Sequence, residues 1–413
     1  MAKVIEIKTS PLHEWQRDLI KLYDENKKNS IITVLAQRQV GKSYALMILA
    51  LRECINNPYF TTIILTPSYT LGRKFFNDLS KAIKGLPNIR NCNSSYFEIT
   101  FTNGSVIKIR SSEQKQNLRG ETCSLLIIDE SAFIPLEVGL ETFNYTNSTN
   151  GSIILSSTPK FKDENNLFYK FYKSAIEGQE GCYLIDFTKY DTSAMLDEKK
   201  KELFKKTMPF NIYQNEVLGQ FLEEKSSVFG DFGKVISNYV HPYTQCYAGI
   251  DFATGVNADE TAVAIFNENK KMVGLFHFND VDTNETVVKV INILQSNKVN
   301  KAVIETNSIG RVFFDLMKEK INLYNLRTQL IPFTTTNQSK REIIQNLQLH
   351  IQNETITLLD DMTLKLQLAN FEIKSTPSGL ITYGNSSDTI HDDTVIATAL
   401  ALHAFKSGGY AVR

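Results

Sequence analysis

The sequence predicts two α/β domains in tandem, the first built on a mostly parallel sheet. Three observations predict this. In the first half, short β-branched apolar runs alternate with helical patterns, as in a parallel sheet covered on both faces. Residues 221–244 show no clean periodicity and carry Gly and Pro, which marks a linker. Beyond it three strand-like runs follow one another before helices return, an order unlike that of the first half.

The first-half strands are read at 31–36, 62–66, 125–129, 153–156 and 183–187, and the helices at 42–55, 71–83, 137–143 and 167–176. One stretch breaks the alternation: 96–109, YFEITFTNGSVIKI, places two alternating strands around Asn103-Gly104, a strong hairpin signal. A basic helix follows at 197–208 (with KKKELFKK) and a short one at 212–221. Such a basic run is usually a solvated helix face. The second half gives strands at 246–252, 262–267 and 271–278, a helix at 285–295, a strand at 301–305 and a helix at 311–320. A strand near 328–333, a long helix at 339–352 and a last helix at 392–405 complete it. The expected domains are 1–220, with a small lid-like segment about 190–220, then the linker 221–244, then 245–413.

Composition narrows the class. Of 413 residues, 42% are hydrophobic and 22% charged, so the chain is globular rather than disordered or fibrous. Lys plus Arg and Asp plus Glu both number 45, so any contact with nucleic acid must come from local patches, not a basic coat. Five cysteines stand singly, without a CxxC pair, which argues against a disulfide framework or structural zinc and suits a reducing compartment. The first residues lack the apolar core of a signal peptide. No apolar run approaches the ~18 residues that span a bilayer. A soluble, cytosolic protein is expected.

Residues 36–43, AQRQVGKS, lie between a β-rich run and a helix. Gly41, Lys42 and Ser43 fit the end of a P-loop, with Ala36 in place of its first glycine. Such a loop turns its N–H groups to phosphate at a helix N-terminus. Lys42 would reach the β- and γ-phosphates of ATP, and Ser43 would ligate Mg²⁺. The run SLLIIDE ends in Asp129, placed to hold Mg²⁺, and Glu130, placed to activate the attacking water. That second acid favours hydrolysis over kinase chemistry. Gln16, in LHEWQRDLI, offers an amide for the adenine edge or a plain surface position. LSSTP at 155–159 ends a strand in hydroxyls suited to sensing the γ-phosphate. Arg38 and Arg119 are candidate arginine fingers, with a surface ion pair the commoner role for such residues.

In the second half Asp251 closes the strand YAGID, Glu305 closes KAVIE, and Asp392 and Asp393 open the last helix. Together they can converge on one edge of a sheet. Oxygen ligands alone suit Mg²⁺ or Mn²⁺. Two ions ~4 Å apart would activate water and stabilise the leaving oxygen in phosphodiester cleavage. Asp259 could return to the same place. His391 is more simply structural. The order strand-strand-strand-helix-strand-helix with these acids is a ribonuclease H-like arrangement.

An ATP-hydrolysing domain followed by a ribonuclease H-like one is an uncommon pairing. The sequence resembles the large subunit of tailed-bacteriophage terminases over nearly its whole length. The motifs that carry the resemblance are, in order, WQRDLI, RQVGKS, LRGETCSLLIIDESAF, LSSTP, GIDFATGVNADETAV, VIETNSIG and HDDTVIATALALHAF. The RQxGK[ST] form accounts for the missing first glycine. The resemblance implies an N-terminal P-loop ATPase domain with a mostly parallel central sheet and a C-terminal ribonuclease H-like nuclease domain. It implies a motor that uses ATP to drive double-stranded DNA into a procapsid and cuts concatemeric DNA. Its partners would be the portal protein and a small terminase subunit. It would work as a ring, usually taken as five subunits, when docked, with a monomer possible in solution, in the host cytoplasm and away from any membrane. By the same resemblance Arg38 and Gln39 belong to the nucleotide loop. Arg38 would act as a finger in cis and Arg119 as a finger offered to a neighbouring subunit's ATP. LSSTP would couple hydrolysis to domain motion. Asp251, Glu305, Asp392 and Asp393 would carry the nuclease metals, with Asp393 favoured over Asp392 as principal ligand.

Three other functions account for less. A helicase with a fused nuclease would need a second helicase-type ATP domain, and none is visible. A decayed binding subunit would have lost some of Lys42, Glu130, Asp251 and Glu305. A small-molecule kinase leaves the second half without a role.

Overall fold

The computed structural model describes residues 11–114, 120–191, 197–223, 227–239, 244–253, 260–279, 282–375, 381–386 and 391–406. Two compact units divide them. The first holds the described residues through Phe204 and those from Asn211 to 223. The second holds Lys205–Phe210 and the described residues from 227 onward.

In the first unit the chain runs α1 (Glu14–Glu25), β1 (Ile31–Leu35), α2 (Lys42–Asn56), β2 (Thr61–Thr66), α3 (Tyr69–Ala82), β3 (Ile89–Asn93), β4 (Glu98–Phe101), β5 (Val106–Ser111) and β6 (Leu125–Asp129). It continues with α4 (Leu136–Phe143), β7 (Ser152–Ser157), α5 (Leu167–Ile176) and β8 (Cys182–Asp186). The eight strands form one sheet in the order β3-β4-β5-β2-β6-β7-β1-β8. From β5 to β8 every neighbour is parallel, and only β3 and β4 add antiparallel pairing. β6 and β7 are buried along their whole length, as strands covered on both faces must be. Alternate strand residues feed two cores. Ile32, Val34, Ile64 and Ile127 meet Trp15, Leu46, Leu49 and Phe76 of α1, α2 and α3. Leu35, Ile63, Ile128 and Leu155 meet Val138, Leu167 and Phe168 of α4 and α5.

Next in sequence come α6 (Glu198–Thr207), the one-turn α7 (Phe210–Ile212) and a π-helical turn over Tyr213–Val217. The short helix expected at 212–221 is therefore mostly that turn. No side chain of α6 is buried, so its basic run is a solvated face.

The second unit contains β9 (Ile236–Ser237), β10 (Cys246–Asp251), β11 (Thr261–Asn267), β12 (Met272–Phe278), α8 (Thr283–Ser296), β13 (Val299–Glu305), α9 (Gly310–Leu323) and β14 (Gln329–Phe333). There follow α10 (Asn337–Gln352), β15 (Leu358–Leu359), α11 (Met362–Asn370), β16 (Phe371–Ser375), β17 (Ile381–Asn385) and α12 (Asp393–His403). The main sheet is β12-β11-β10-β13-β14, antiparallel from β12 to β10 and parallel from β10 to β14. Ala248, Ile250, Val263 and Ala302 pack with α8 and α9 on one face.

The opposite face belongs to α12. Every residue from Thr394 to Leu402 is buried, as expected of a helix that is apolar all round. Gly249 of β10 makes the approach possible. A Cβ at that position would stand 2.1 Å from the Ala397 carbonyl oxygen and 2.2 Å from the Ala401 nitrogen. Both are main-chain atoms of α12 and cannot rotate away. Gly249→Ala is therefore expected to destabilise the second unit by about 3 kcal/mol or more, and an unchanged melting temperature would contradict this packing.

Candidate active sites

In the first unit, β1, β6 and β7 end side by side. Leu35 pairs with Ser157, and Asp129 pairs with Ser156. Ligands of open parallel sheets bind at this carboxyl edge. The loop that leaves β1 enters α2 at Lys42 through Gly41, whose φ is 86°. A Cβ on Gly41 would lie 2.8 Å from Gln16 Nε2. Gln16 is 1% exposed, so it is not a surface residue. Its Oε1 accepts from the His13 N–H at 2.9 Å and its Nε2 donates to the Gly41 carbonyl at 3.0 Å. It braces the loop glycine. Gln39 takes φ 61°, the left-handed region that a non-glycine residue enters only when its surroundings hold it there.

Lys42 is 6% exposed. Its Nζ donates to the carbonyls of Ala36 and Gln37 at 3.2 and 2.9 Å and lies 3.7 Å from Glu130 Oε1. Ser43 Oγ donates to Asp129 Oδ2 at 2.9 Å. The two motifs, far apart in sequence, thus meet through a hydrogen bond and an ion pair. Burial, and then the Glu130 charge, push the Asp129 carboxyl up to about 6, against the pull of Lys42 and Ser43. Glu130 sits at φ 51°. Its N–H donates to Asp129 Oδ1 at 3.1 Å, and Ser157 Oγ donates to its Oε2 at 3.3 Å while accepting from the Ala132 N–H at 3.3 Å. Ser157 of LSSTP therefore holds the acidic turn.

A cavity of about 760 Å³ opens over these groups, lined by Arg38, Gln39, Lys42, Ser43, Lys74, Glu130 and Phe133 among others. Its volume falls within the range of small-molecule sites. Arg38 is paired with Glu216 of the π-helical turn at 2.6 Å; such turns recur at functional sites. Lys160, not singled out in the sequence, is 5% exposed and lies 4.0 Å above the Phe133 ring. Burial pushes its ammonium group down to about 8. Arg119 lies outside the described residues.

In the second unit, β10 and β13 run parallel with Ile250 beside Ile304, so Asp251 and Glu305 emerge next to each other. Asp393 opens α12 and Asp392 is its N-cap. Asp393 Oδ2 accepts the Glu260 N–H at 2.9 Å, and Asp392 Oδ2 receives the Lys340 ammonium at 2.8 Å. Burial, followed by the charges of Glu305, Asp393 and Asp392, raises the Asp251 carboxyl well above the usual range; Lys340 opposes them. Three acids therefore act together on Asp251. Their donor chemistry, all carboxylate oxygen, fits a hard divalent cation. Yet among the described residues no three Asp, Glu, His or Cys side chains stand close enough to hold an ion as they are. Asp259 lies outside the described residues. Its neighbour Glu260, unremarked in the sequence, has its carboxylate 2.8 Å from His277 Nδ1. The His391 carbonyl accepts from Asn385 Nδ2.

A family profile described as "Terminase large subunit, T4likevirus-type, N-terminal" matches residues 34–232. The chain is 23% identical over 421 residues to the terminase large subunit of Thermus virus P23-45, covering 89% of this chain and 83% of that protein. The terminase large subunit of Thermus phage G20c matches with the same identity and coverage. The large terminase of the thermophilic bacteriophage D6E superposes with a TM-score of 0.56 at 12% identity, over 96% of this chain and 100% of that one. The same D6E protein has been solved with ADP, and that structure superposes with a TM-score of 0.55. The likeness to phage terminase large subunits that the motifs imply is thus found in a family profile, in curated relatives and in fold. The expected fold class, a P-loop domain on a mostly parallel sheet followed by a ribonuclease H-like domain, holds.

Proposed function

We propose that the chain is the large subunit of a phage terminase, which hydrolyses ATP to drive double-stranded DNA into a procapsid and cuts concatemeric DNA. The observation that carries it is the joining of two motifs at the sheet edge: Ser43 bonded to Asp129, with Lys42 beside Glu130. In this reading residues 1–220 are the motor domain, 221–244 the linker and 245–413 the nuclease. Lys42 takes the β- and γ-phosphates of ATP. Ser43 and Asp129 hold Mg²⁺. Glu130, fixed by Ser157, orients the attacking water and receives its proton. Gln16 and Gln39 shape the loop, and Arg38 turns from Glu216 to the phosphates.

Asp251, Glu305 and Asp393, with Asp259 and Asp392, take Mg²⁺ or Mn²⁺ in the second unit. When bound there, the metal supplies an activated water and charge stabilisation at the scissile phosphodiester. Portal protein, small terminase subunit and a five-membered ring in the host cytoplasm follow from the family resemblance, which also assigns Arg119 to a neighbour's ATP. A mixture of Arg119→Ala and Lys42→Ala proteins that regains no turnover contradicts that assignment.

Glu130→Gln tests the hydrolytic reading. It preserves the shape of the acidic turn and removes the base. ATP turnover is expected to fall by about 10²–10⁴-fold, with nucleotide binding and DNA cutting retained. Turnover near the wild-type rate would remove Glu130 from the chemistry.

A further inference from the structure

We infer that His277 is a positioning residue of the nuclease: it holds Glu260, and Glu260 in turn holds Asp393. The inference rests on the nuclease reading above, which gives Asp393 its role. It begins with the two faces of the second sheet. Val263 and Ile265 of β11 pack with α8 and α9. Side chains alternate along a strand, so Ala262 and Ala264 lie on the face that α12 covers, and Glu260, just before the strand, continues their row. His277 of β12 pairs opposite Ala262 and shares that face. Its diagonal neighbour across the two strands is Glu260, and the small Ala262 leaves the imidazole room to lean that way. His277 Nδ1 lies 2.8 Å from Glu260 Oε2. An ionised carboxylate only accepts, so the Nδ1–H donates.

Glu260 is bonded at both ends. Its side chain meets His277, and its main-chain N–H donates to Asp393 Oδ2 at 2.9 Å. It lies one residue before β11 and outside the ladder of that strand, so sheet pairing does not fix that N–H. The bond to His277 ties it to β12 instead. The N-cap of α12, Asp392, makes no side-chain cap bond, and the first turn is held from outside. Thr394 donates its N–H to Oε1 of the buried Gln367 of α11 at 2.9 Å, while the Asp393 carboxylate is oriented by Glu260. The second ring nitrogen of His277 contributes less. Its Nε2 stands 3.4 Å from Asp361 Oδ2, and Asp361 already caps α11 by accepting the Leu364 N–H at 2.8 Å. The short bond through Nδ1 is therefore the one that reaches Asp393. The His277 and Glu260 side chains are 24% and 37% exposed, so water competes for their bond and its effect on folding is small. Its effect on the direction of one N–H is immediate.

The test separates the two ring nitrogens. His277→Asn places an amide N–H where Nδ1 stood and keeps the bond to Glu260. His277→Gln places one near Nε2 and keeps only the contact with Asp361. The two variants are alike in polarity and differ in the one bond. Two readouts are taken on the full-length protein: hydrogen–deuterium exchange of the Glu260 amide, resolved to the residue, and cutting of supercoiled plasmid in Mg²⁺ or Mn²⁺. His277→Gln is expected to speed exchange at Glu260 by about tenfold and to slow cutting by about 10²-fold. His277→Asn is expected to stay within about threefold of wild type in both. The Thr394 amide, held by Gln367, is expected to exchange as in wild type throughout, which reports that α12 is folded. If the glutamine variant melts early, Glu260→Ala is read in its place, since it cuts the same link and keeps the main-chain N–H. Equal exchange at Glu260 in the asparagine and glutamine variants overturns the inference and leaves the nuclease reading standing. Unequal exchange with equal cutting does the same. Asp251→Asn separates the two failures: wild-type cutting that survives this change overturns the nuclease reading, and with it the role given to Asp393.

Discussion

On the proposed nuclease reading, Asp251→Asn is expected to lower metal-dependent DNA cutting by about 10³-fold or more, because several kcal/mol of transition-state stabilisation would depend on the ion it would help hold. The same change is expected to raise the thermal stability of the protein in EDTA. Asp251 is buried and its carboxyl is raised well above the usual range, chiefly by desolvation and then by three neighbouring acids. The sign follows from linkage. A carboxyl whose folded pKa exceeds its unfolded value destabilises the fold when ionised, at pH above the folded pKa. That penalty shrinks as pH falls and vanishes below the unfolded value near ~4. Asparagine removes the charge and with it the penalty. The stability gain over wild type should therefore be full at high pH and fade on acidification. Melting temperatures of both proteins across a pH series measure it. A loss of cutting together with a loss of stability would point to a merely structural aspartate; opposite movements identify a group kept for function at a cost to the fold.

Lys42→Ala is expected to reduce ATP turnover by about 10²–10³-fold, the loss typical when one preorganised charge is removed from a developing anion. The variant has two effects that one experiment separates. It takes a cation from the phosphate site, and it leaves the Ala36 and Gln37 carbonyls, now bonded to Nζ, without that donor. An unmet buried acceptor costs about 1–3 kcal/mol, so the first unit should also melt somewhat earlier. DNA cutting by the second unit is expected to continue at temperatures where the protein is folded. Turnover that survives would remove the P-loop assignment. Cutting that disappears in step with turnover would show that the second site works only when the first does.

Much of this fold is legible in the chain, for a physical reason. The run SLLIIDE contains β6 at the limits expected for it, because a strand covered on both faces needs an unbroken apolar run and its carboxylate marks the end. The Asn103-Gly104 turn marks the β4–β5 hairpin in the same way. β3 gives no such signal because IRNCN is a mixed, mostly exposed edge strand with neither alternation nor an apolar run. No clean periodicity announces α11 or the β16–β17 hairpin either. Among the site residues, Gln16, Ser43, Asp129, Asp251 and Glu305 stand out by motif. Lys340 and Glu260 do not. Their partners Asp392 and Asp393 lie 52 and 133 residues away, and nothing local signals a lysine or a main-chain N–H that acts at such a distance.

The strand order of the first sheet also bears on how the protein is made. β1, which launches the nucleotide loop, pairs only with β7 and β8, so Ile31 waits for Ile153 to be synthesised. At ~5–20 residues per second that interval is on the order of 10 s. For that time IITVL, an apolar segment with both edges open, has no sheet to join, while β2 can already find β5 and β6. Non-local pairing of this kind is slow, and an unpaired apolar strand invites association with other chains. The loop proposed to take ATP is thus among the last parts of its domain to take shape, and a nascent chain arrested before residue 152 would carry the whole GKS motif on a strand with no neighbours.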